Sequence, residues 1–526
     1  MMRMSDWKRF ERIGWTVFIG LLFIAVYGYT FNGGDQEEHL PYVYKLLNHK
    51  LYQHDYIVPF QISNFTVRFY FAWLLYGIGC FLPMSITVLT FYFICLGTMI
   101  YFTGRIAEEG SGWKNAFIIG PLIVFILLNT FTVGANTIFD NQLTSSCFAS
   151  ALGSIAIFLC VKNRILLSAS LAGIASLFQV LIGLHVAMLL MAIIVFSKDD
   201  HKIKNLFFTF LTYLIFSSAM LVPIVWRQSV GIPIADVNLY NDILFKFRNA
   251  HHYLPSYFPL KDYLKTLFCW ILIVLFSLKY KTKWNTMVVS LMLFVTIGCL
   301  LYWIGFEKLK YSSIGKLQWF KTTGWITLLG IIPITKYLSD LIWLNRFTTN
   351  IISALRTTIW PISLLLFVVL SNTSFIPIEK FQMRYQIGNY PKSDLSKMHF
   401  WIANNTPLDC VILPLPDDDS FLCEAQRSIP VGYKAIIHEP FFLLPWYKNF
   451  YSIYGVGLLP GNINQHVIER AKLLYPNRPD STIVSPIAID FRIWDTGFTS
   501  RNMIQDKTII HQEGKYLLCK FDSSAE

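Results

Sequence analysis

GWTVFIGLLFIAVYGYTFNGGDQEEH, residues 14–39, decides how this chain is read: an uncharged apolar run ends near Tyr29, and past Gly33 and Gly34 it meets Asp35, Glu37, Glu38 and His39. The hydrocarbon core of a bilayer takes a helix of about 20 apolar residues and expels uncompensated carboxylates. The stretch therefore predicts a membrane helix that delivers an acidic segment to one membrane face. Lys8, Arg9 and Arg12 precede the run and no small-residue cleavage signal follows it, so it reads as a retained signal anchor.

Similar runs recur along the first 370 residues. The predicted spans are Gly14 to Tyr29, Met84 to Thr103, Lys114 to Phe131, Ser145 to Val161, Leu166 to Val180, Gly183 to Phe196, Leu206 to Val225, Leu264 to Leu278, Met287 to Gly305, Thr323 to Leu338 and Trp360 to Leu370, eleven in all. Basic residues flank alternate ends: Lys162 and Arg164 follow the fourth, Lys198, Lys202 and Lys204 the sixth, and Lys279, Lys281 and Lys283 the eighth. With eleven spans these clusters share the cytoplasmic side with the N-terminus. Apolar residues 69–83 would invert this parity as a full span, so they are expected to form a helix at the outer surface.

Composition agrees with a membrane location. Of 526 residues 54% are hydrophobic and 14% charged, against about 25% charged in soluble domains. The net charge of +12 is spread between apolar runs rather than gathered in a groove-forming tract, which argues against nucleic acid as a partner. From Asn372 onward the character changes to short β-rich runs, such as Cys410 to Leu415 and Tyr516 to Phe521, between Pro-, Asp-, Asn- and Gly-rich turns. The chain thus divides into a polytopic part, residues 1–371, and a mixed α/β domain, residues 372–526, on the extracytoplasmic side. Of nine cysteines only Cys410, Cys423 and Cys519 fall in this tail, where one disulfide is compatible with the sequence.

Several segments carry side chains suited to chemistry. Asp35, just outside the first span, is expected to act as a general base or to hold a divalent cation with Glu38 and His39; the alternative is a helix cap, because Asp35 and Glu38 have capping-box spacing. Asp140, in the short outer loop before the fourth span, is a second candidate, or else caps that span. FRNAHHYLPSYF, residues 247–258, offers Arg248, His251 and His252 for phosphate. Lys316 and Gln318 in residues 307–325, and Arg427 and Lys434 in residues 423–438, are further candidates for substrate or lipid phosphate.

Layout and segments together resemble the polytopic GT-C membrane glycosyltransferases, especially uncharacterised bacterial relatives with a C-terminal outer domain. The resemblance implies a GT-C-like, multi-span α-helical membrane protein of a bacterial inner membrane. The implied reaction takes a sugar from a polyprenyl-phosphate donor to a glycan, lipid or protein acceptor, with inversion. An acidic residue of the first outer loop is central in that superfamily, and Asp35 occupies the matching place, with Glu38 and His39 extending the surface. Arg248, His251, His252, Lys316, Gln318, Arg427 and Lys434 resemble recurrent polar positions of those relatives. A metal is optional in such a scheme. The rival reading is a transporter or lipid flippase, against which stand the lack of an inverted repeat and the sparse ionisable residues within the spans.

Overall fold

The computed structural model describes residues 4–198, 200–230, 237–355, 358–371, 385, 388–461 and 465–522. Asn372, where the tail was expected to begin, lies outside them. The chain is mostly helical and divides into two compact units. One comprises Met1–Gly28, Thr90–Val225 and His251–Thr373; the other comprises Tyr29–Leu89, Trp226–Ala250 and Ser374–Glu526. The first outer loop and the segment around Arg248 therefore belong to the same unit as the tail.

Each predicted span is largely helical, with ends that match at Ser145–Val161 and differ by up to ten residues at Met4–Tyr27. Among the described residues four helices are long and apolar enough to cross a membrane: Arg9–Tyr27, Met84–Ser111, Lys202–Arg227 and Lys283–Lys308. Ser312–Ser339 and Leu344–Leu355 form a fifth if counted as one span bent by 103°. The other apolar helices, among them Ser145–Val161, Ile165–Phe178 and Val180–Phe196, have 10–17 residues. Of the eleven expected spans, several of them already short in the sequence, four or five thus have the full length of a span and the others are shorter apolar helices. Pro121 removes a backbone donor inside Ala116–Ile123, and the helix goes on as a π turn, Val124–Leu128.

Small residues allow these helices to approach closely, since between apolar helices in lipid the favourable terms are packing and hydrogen bonds. Ile165–Phe178 buries Ser168, Ala169, Ala172, Gly173, Ala175 and Ser176. A Cβ at Gly183 would stand 2.1 Å from Ser176 Oγ and 2.4 Å from the Ala172 carbonyl oxygen, so no larger residue fits there. Thr144 caps Ser145–Val161 by accepting from the Cys147 amide at 3.1 Å. That is the position expected of Asp140, whose Oδ1 instead accepts from the Asn141 amide at 2.8 Å.

The second unit contains a four-stranded sheet in the order β1 (Ile412–Leu413), β2 (Phe491–Asp495), β4 (Tyr516–Lys520), β3 (Ile509–Glu513). β1 is parallel to β2, with Ile412 beside Phe491; the other pairs are antiparallel. Trp494, Leu517 and Cys519 form a buried core, and the buried Arg492 guanidinium lies 3.5 Å from the Trp494 ring centre while donating to Asp480 Oδ1 at 2.7 Å. Phe442 and Trp446 are core residues of helix Pro440–Tyr454. All nine cysteines are free, so the disulfide the tail permits is not formed.

Candidate functional site

Six of the predicted site residues fall in the second unit, and five of them, all but Arg427, come together. The helix Met4–Tyr27 ends at Gly28, and Gly34, at φ +60°, turns the chain into the short 3-10 helix Gly34–Glu38. A left-handed backbone at Gly34 costs little only because it lacks a Cβ. Buried Gln36 fastens the turn by accepting from the Asn32 amide at 2.8 Å. Gly33 is the N-cap and no side chain caps this helix, so the capping role considered for Asp35 is not realised. Asp35 is half-exposed, and its Oδ1 lies 2.5 Å from Lys434 Nζ.

Glu38 and His39 point elsewhere. Glu38 Oε2 pairs with Arg68 Nη2 at 2.5 Å, and the His39 ring packs edge-on against Phe71 at 5.2 Å. Burial alone pushes the Glu38 carboxyl up, but Arg68, His39 and Arg248 overcome it and hold its pKa at about 2. His39 is pushed down to about 4 by burial, with Arg68 adding to the effect, so it is a neutral imidazole in ordinary buffers. Arg248 Nη2 donates to the Lys434 carbonyl at 2.7 Å and its guanidinium sits 4.4 Å from the Tyr433 ring centre. For Lys434 burial disfavours the ammonium, yet Asp35 and Glu38 leave its pKa above the ordinary lysine value.

Three cations, Arg68, Arg248 and Lys434, thus stand with the carboxylates Asp35 and Glu38, and Asp419 also faces Lys434. Buried donors remain uncommitted around them: Arg68 Nη1, Arg248 Nε and His39 Nδ1 have no hydrogen-bond partner. A buried donor left without an acceptor costs about 1–3 kcal/mol, more for a charged group. Unused N–H groups on cationic side chains are what an anion of phosphate type satisfies.

A second buried cluster supports the Asp35 turn. Glu37 Oε1 accepts from the Leu422 amide at 3.3 Å, and its carboxyl is pushed well up by burial, then by Asp418 and Asp419. His399 stands between Asp418 and Glu424, with Nδ1 2.9 Å from Glu424 Oε2 and Nε2 2.9 Å from Asp418 Oδ2. The second contact is an ion pair without hydrogen-bond alignment. Burial works against a charged imidazole, but the two carboxylates raise its pKa to about 10. Asp55, buried nearby in sequence, accepts from the Ile57, Val58 and Ile429 amides.

The remaining predicted residues lie elsewhere. Arg427 is buried and spends its donors on the Ala403 and Thr406 carbonyls at 2.8 and 2.7 Å and on Thr406 Oγ1 at 3.0 Å, closing the end of helix Asp394–Asn405. A cation so committed is a helix cap and is not offered to a phosphate. In the first unit, the His251 and His252 rings lie tilted at 44° with their centres 4.0 Å apart, and His252 Nδ1 lies 3.4 Å from the Gly134 carbonyl. Lys316 is exposed. Gln318 is buried in a left-handed conformation, φ +44°, and its Oε1 has no partner. Asp140, besides its contact with Asn141, accepts from the Tyr92 hydroxyl through its carbonyl at 2.9 Å.

Sequence reasoning missed Arg68, His399, Asp418, Glu424 and the buried state of Glu37. Arg68 had one signal: it is the last charged residue before a long uncharged, aromatic-rich run. Among the described residues no three His, Cys, Asp or Glu side chains gather as a metal-ligand set. Neither protein-family models nor curated proteins give a match to this chain.

Proposed function

We propose that this chain is a GT-C-like membrane glycosyltransferase of a bacterial inner membrane, with the loop Thr30 to Arg68 and the tail on the extracytoplasmic side. It moves a sugar from a polyprenyl-phosphate donor to a glycan, lipid or protein acceptor. The observation that carries this reading is the cluster of Arg68, Arg248 and Lys434 with its unused buried N–H groups, set beside a half-exposed carboxylate, Asp35, on the first loop after a membrane-length helix.

The residues divide the work as follows. The acceptor hydroxyl oxygen attacks the anomeric carbon while Asp35 takes the hydroxyl proton. The bond from that carbon to the phosphate oxygen breaks, its electron pair leaves with the lipid phosphate, and the single displacement inverts the centre. Lys434 exchanges Asp35 for the departing phosphate, and Arg68 and Arg248 donate to its oxygens. Phosphate is a good leaving group, so no strong protonating acid is required. A divalent cation is an optional addition, tested by activity in chelator.

Retained lipid tests the donor assignment. Protein purified in mild detergent is expected to carry a polyprenyl-phosphate-type lipid detectable by mass spectrometry, depleted in Arg68→Ala and Arg248→Ala. Equal lipid content in folded double-variant protein would remove the phosphate role from these arginines. The rival transporter reading predicts movement of intact lipid with no exchange of bonds.

A further inference from the structure

Between Arg68 and Arg105 the chain carries no charged residue. Its first part is the helix Phe69–Gly79, 11 residues long. At 1.5 Å per residue it reaches about 16 Å, roughly half of a bilayer core. Pro83 then opens the membrane-length helix Met84–Ser111. Four residues separate the two helices, so the end of the first lies within about 18 Å of the start of the second.

The short helix is apolar on both sides. One stripe, Phe71, Ala72 and Leu75, is buried in its unit, and Arg68 just before it holds Glu38. The opposite stripe is Phe69, Trp73, Tyr76 and Cys80, at spacings of four, three and four, as a helix face requires. Phe69 and Trp73 pack at 5.8 Å and Trp73 and Tyr76 at 5.3 Å, an outward row of rings. Trp73 and Leu82 are each 43% exposed and Phe81 is 86% exposed. Burying such a side chain fully is worth about 1.5–3 kcal/mol, so water is a poor medium for this face.

We infer that Phe69–Gly79 and the following turn form an interfacial anchor, with the Trp73 face seated in the headgroup layer of a phospholipid bilayer and the Arg68 end holding Glu38 and His39. Lipid is favoured as the occupant because the face runs directly into a membrane-length helix without a charge between them. What this face offers a bilayer is the exposed apolar area of Trp73, Phe81 and Leu82, since the Trp73 indole is tied to its own unit by a hydrogen bond with Tyr42. The anchor ties the height of Arg68 to the membrane surface, independently of whether sugar transfer occurs.

Cys80, on the same stripe, is the exposed one of the nine cysteines and takes an environment-sensitive fluorophore. Full-length protein in phospholipid nanodiscs is titrated with iodide, with lipid spin-labelled near the headgroup, and with lipid spin-labelled at the chain terminus; Cys80→Ser reports labelling elsewhere. The expected result is strongest quenching by the shallow label, at a depth of about 5–10 Å into the headgroup and acyl boundary. Phe81→Ser should shift quenching toward iodide. Dominant iodide quenching, or shielding from all three agents by a protein partner, overturns the anchor. Strongest quenching by the deep label overturns it in favour of a re-entrant hairpin.

Discussion

Replacing His399 by Gln removes the one cation between two carboxylates, all three side chains being at most 1% exposed. Breaking a buried ion pair from one side costs about 3–5 kcal/mol, because the charge left behind has neither partner nor water. The shift of His399 from 6.5 to about 10 points to the same scale, since each unit is about 1.4 kcal/mol. The sign follows from linkage: a folded pKa raised above the unfolded one stabilises fully below pH ~6.5 and fades as pH rises through ~10. Asp418 is lowered, burial notwithstanding, chiefly by His399; its contribution is present above its unfolded pKa and lost as pH falls through the folded value. Thermal unfolding of the purified full-length protein in detergent, followed across pH, should show a broad neutral plateau for the native chain. His399→Gln should lower the transition markedly throughout it, by several degrees, since for units of this size each kcal/mol is worth about 2–4 °C. The triple replacement His399→Leu, Asp418→Leu and Glu424→Leu should recover much of the loss. A His399→Gln protein as stable as the native one, or a native plateau that breaks between pH ~6 and ~7, would refute a charged buried imidazole.

Asp35→Asn should keep fold and lipid content while transfer falls by orders of magnitude, read as single-turnover product in lipid. Arg68→Ala and Arg248→Ala should each raise the donor KM about 10–100-fold, the scale of a charged hydrogen bond, with Asp35→Asn acting on kcat instead. Arg427→Ala should lose about 3 kcal/mol or more of stability by opening the end of Asp394–Asn405, and any folded fraction should retain its donor KM. Because His39 is held near 4 and Glu38 near 2, neither should contribute an inflection to the pH–rate profile above pH ~5; an inflection near pH ~6.5 that disappears in His39→Gln would contradict that assignment.

The helices were legible because an apolar run is a local signal. Ser145–Val161 has the predicted ends, and Phe69–Gly79 falls where a helix was expected. Their use as full spans was less legible, since a break such as Pro121 with its π turn shortens a run that hydropathy alone treats as continuous. At the site, Asp35, Glu38 and His39 could be read from one loop, but their partners come from distant segments: Arg68 for Glu38, Lys434 for Asp35, Leu422 for Glu37. The His399, Asp418 and Glu424 cluster has no linear motif. Arg427 misled because a cation closing a buried helix end and one waiting for a phosphate have the same sequence appearance. Of the two readings open for Asp140, the cap is supplied by Thr144 instead, a choice between nearby polar residues that only backbone geometry decides.

The most direct test of sugar transfer is mass spectrometry of both products after incubating the purified protein, in lipid, with polyprenyl-phosphate sugars and candidate acceptors. The account predicts a glycosylated acceptor with inverted anomeric configuration together with free polyprenyl phosphate, both absent with Asp35→Asn. Unchanged donor across a broad set of sugars, or intact lipid moved across the bilayer without exchange of the glycosidic bond, would contradict it.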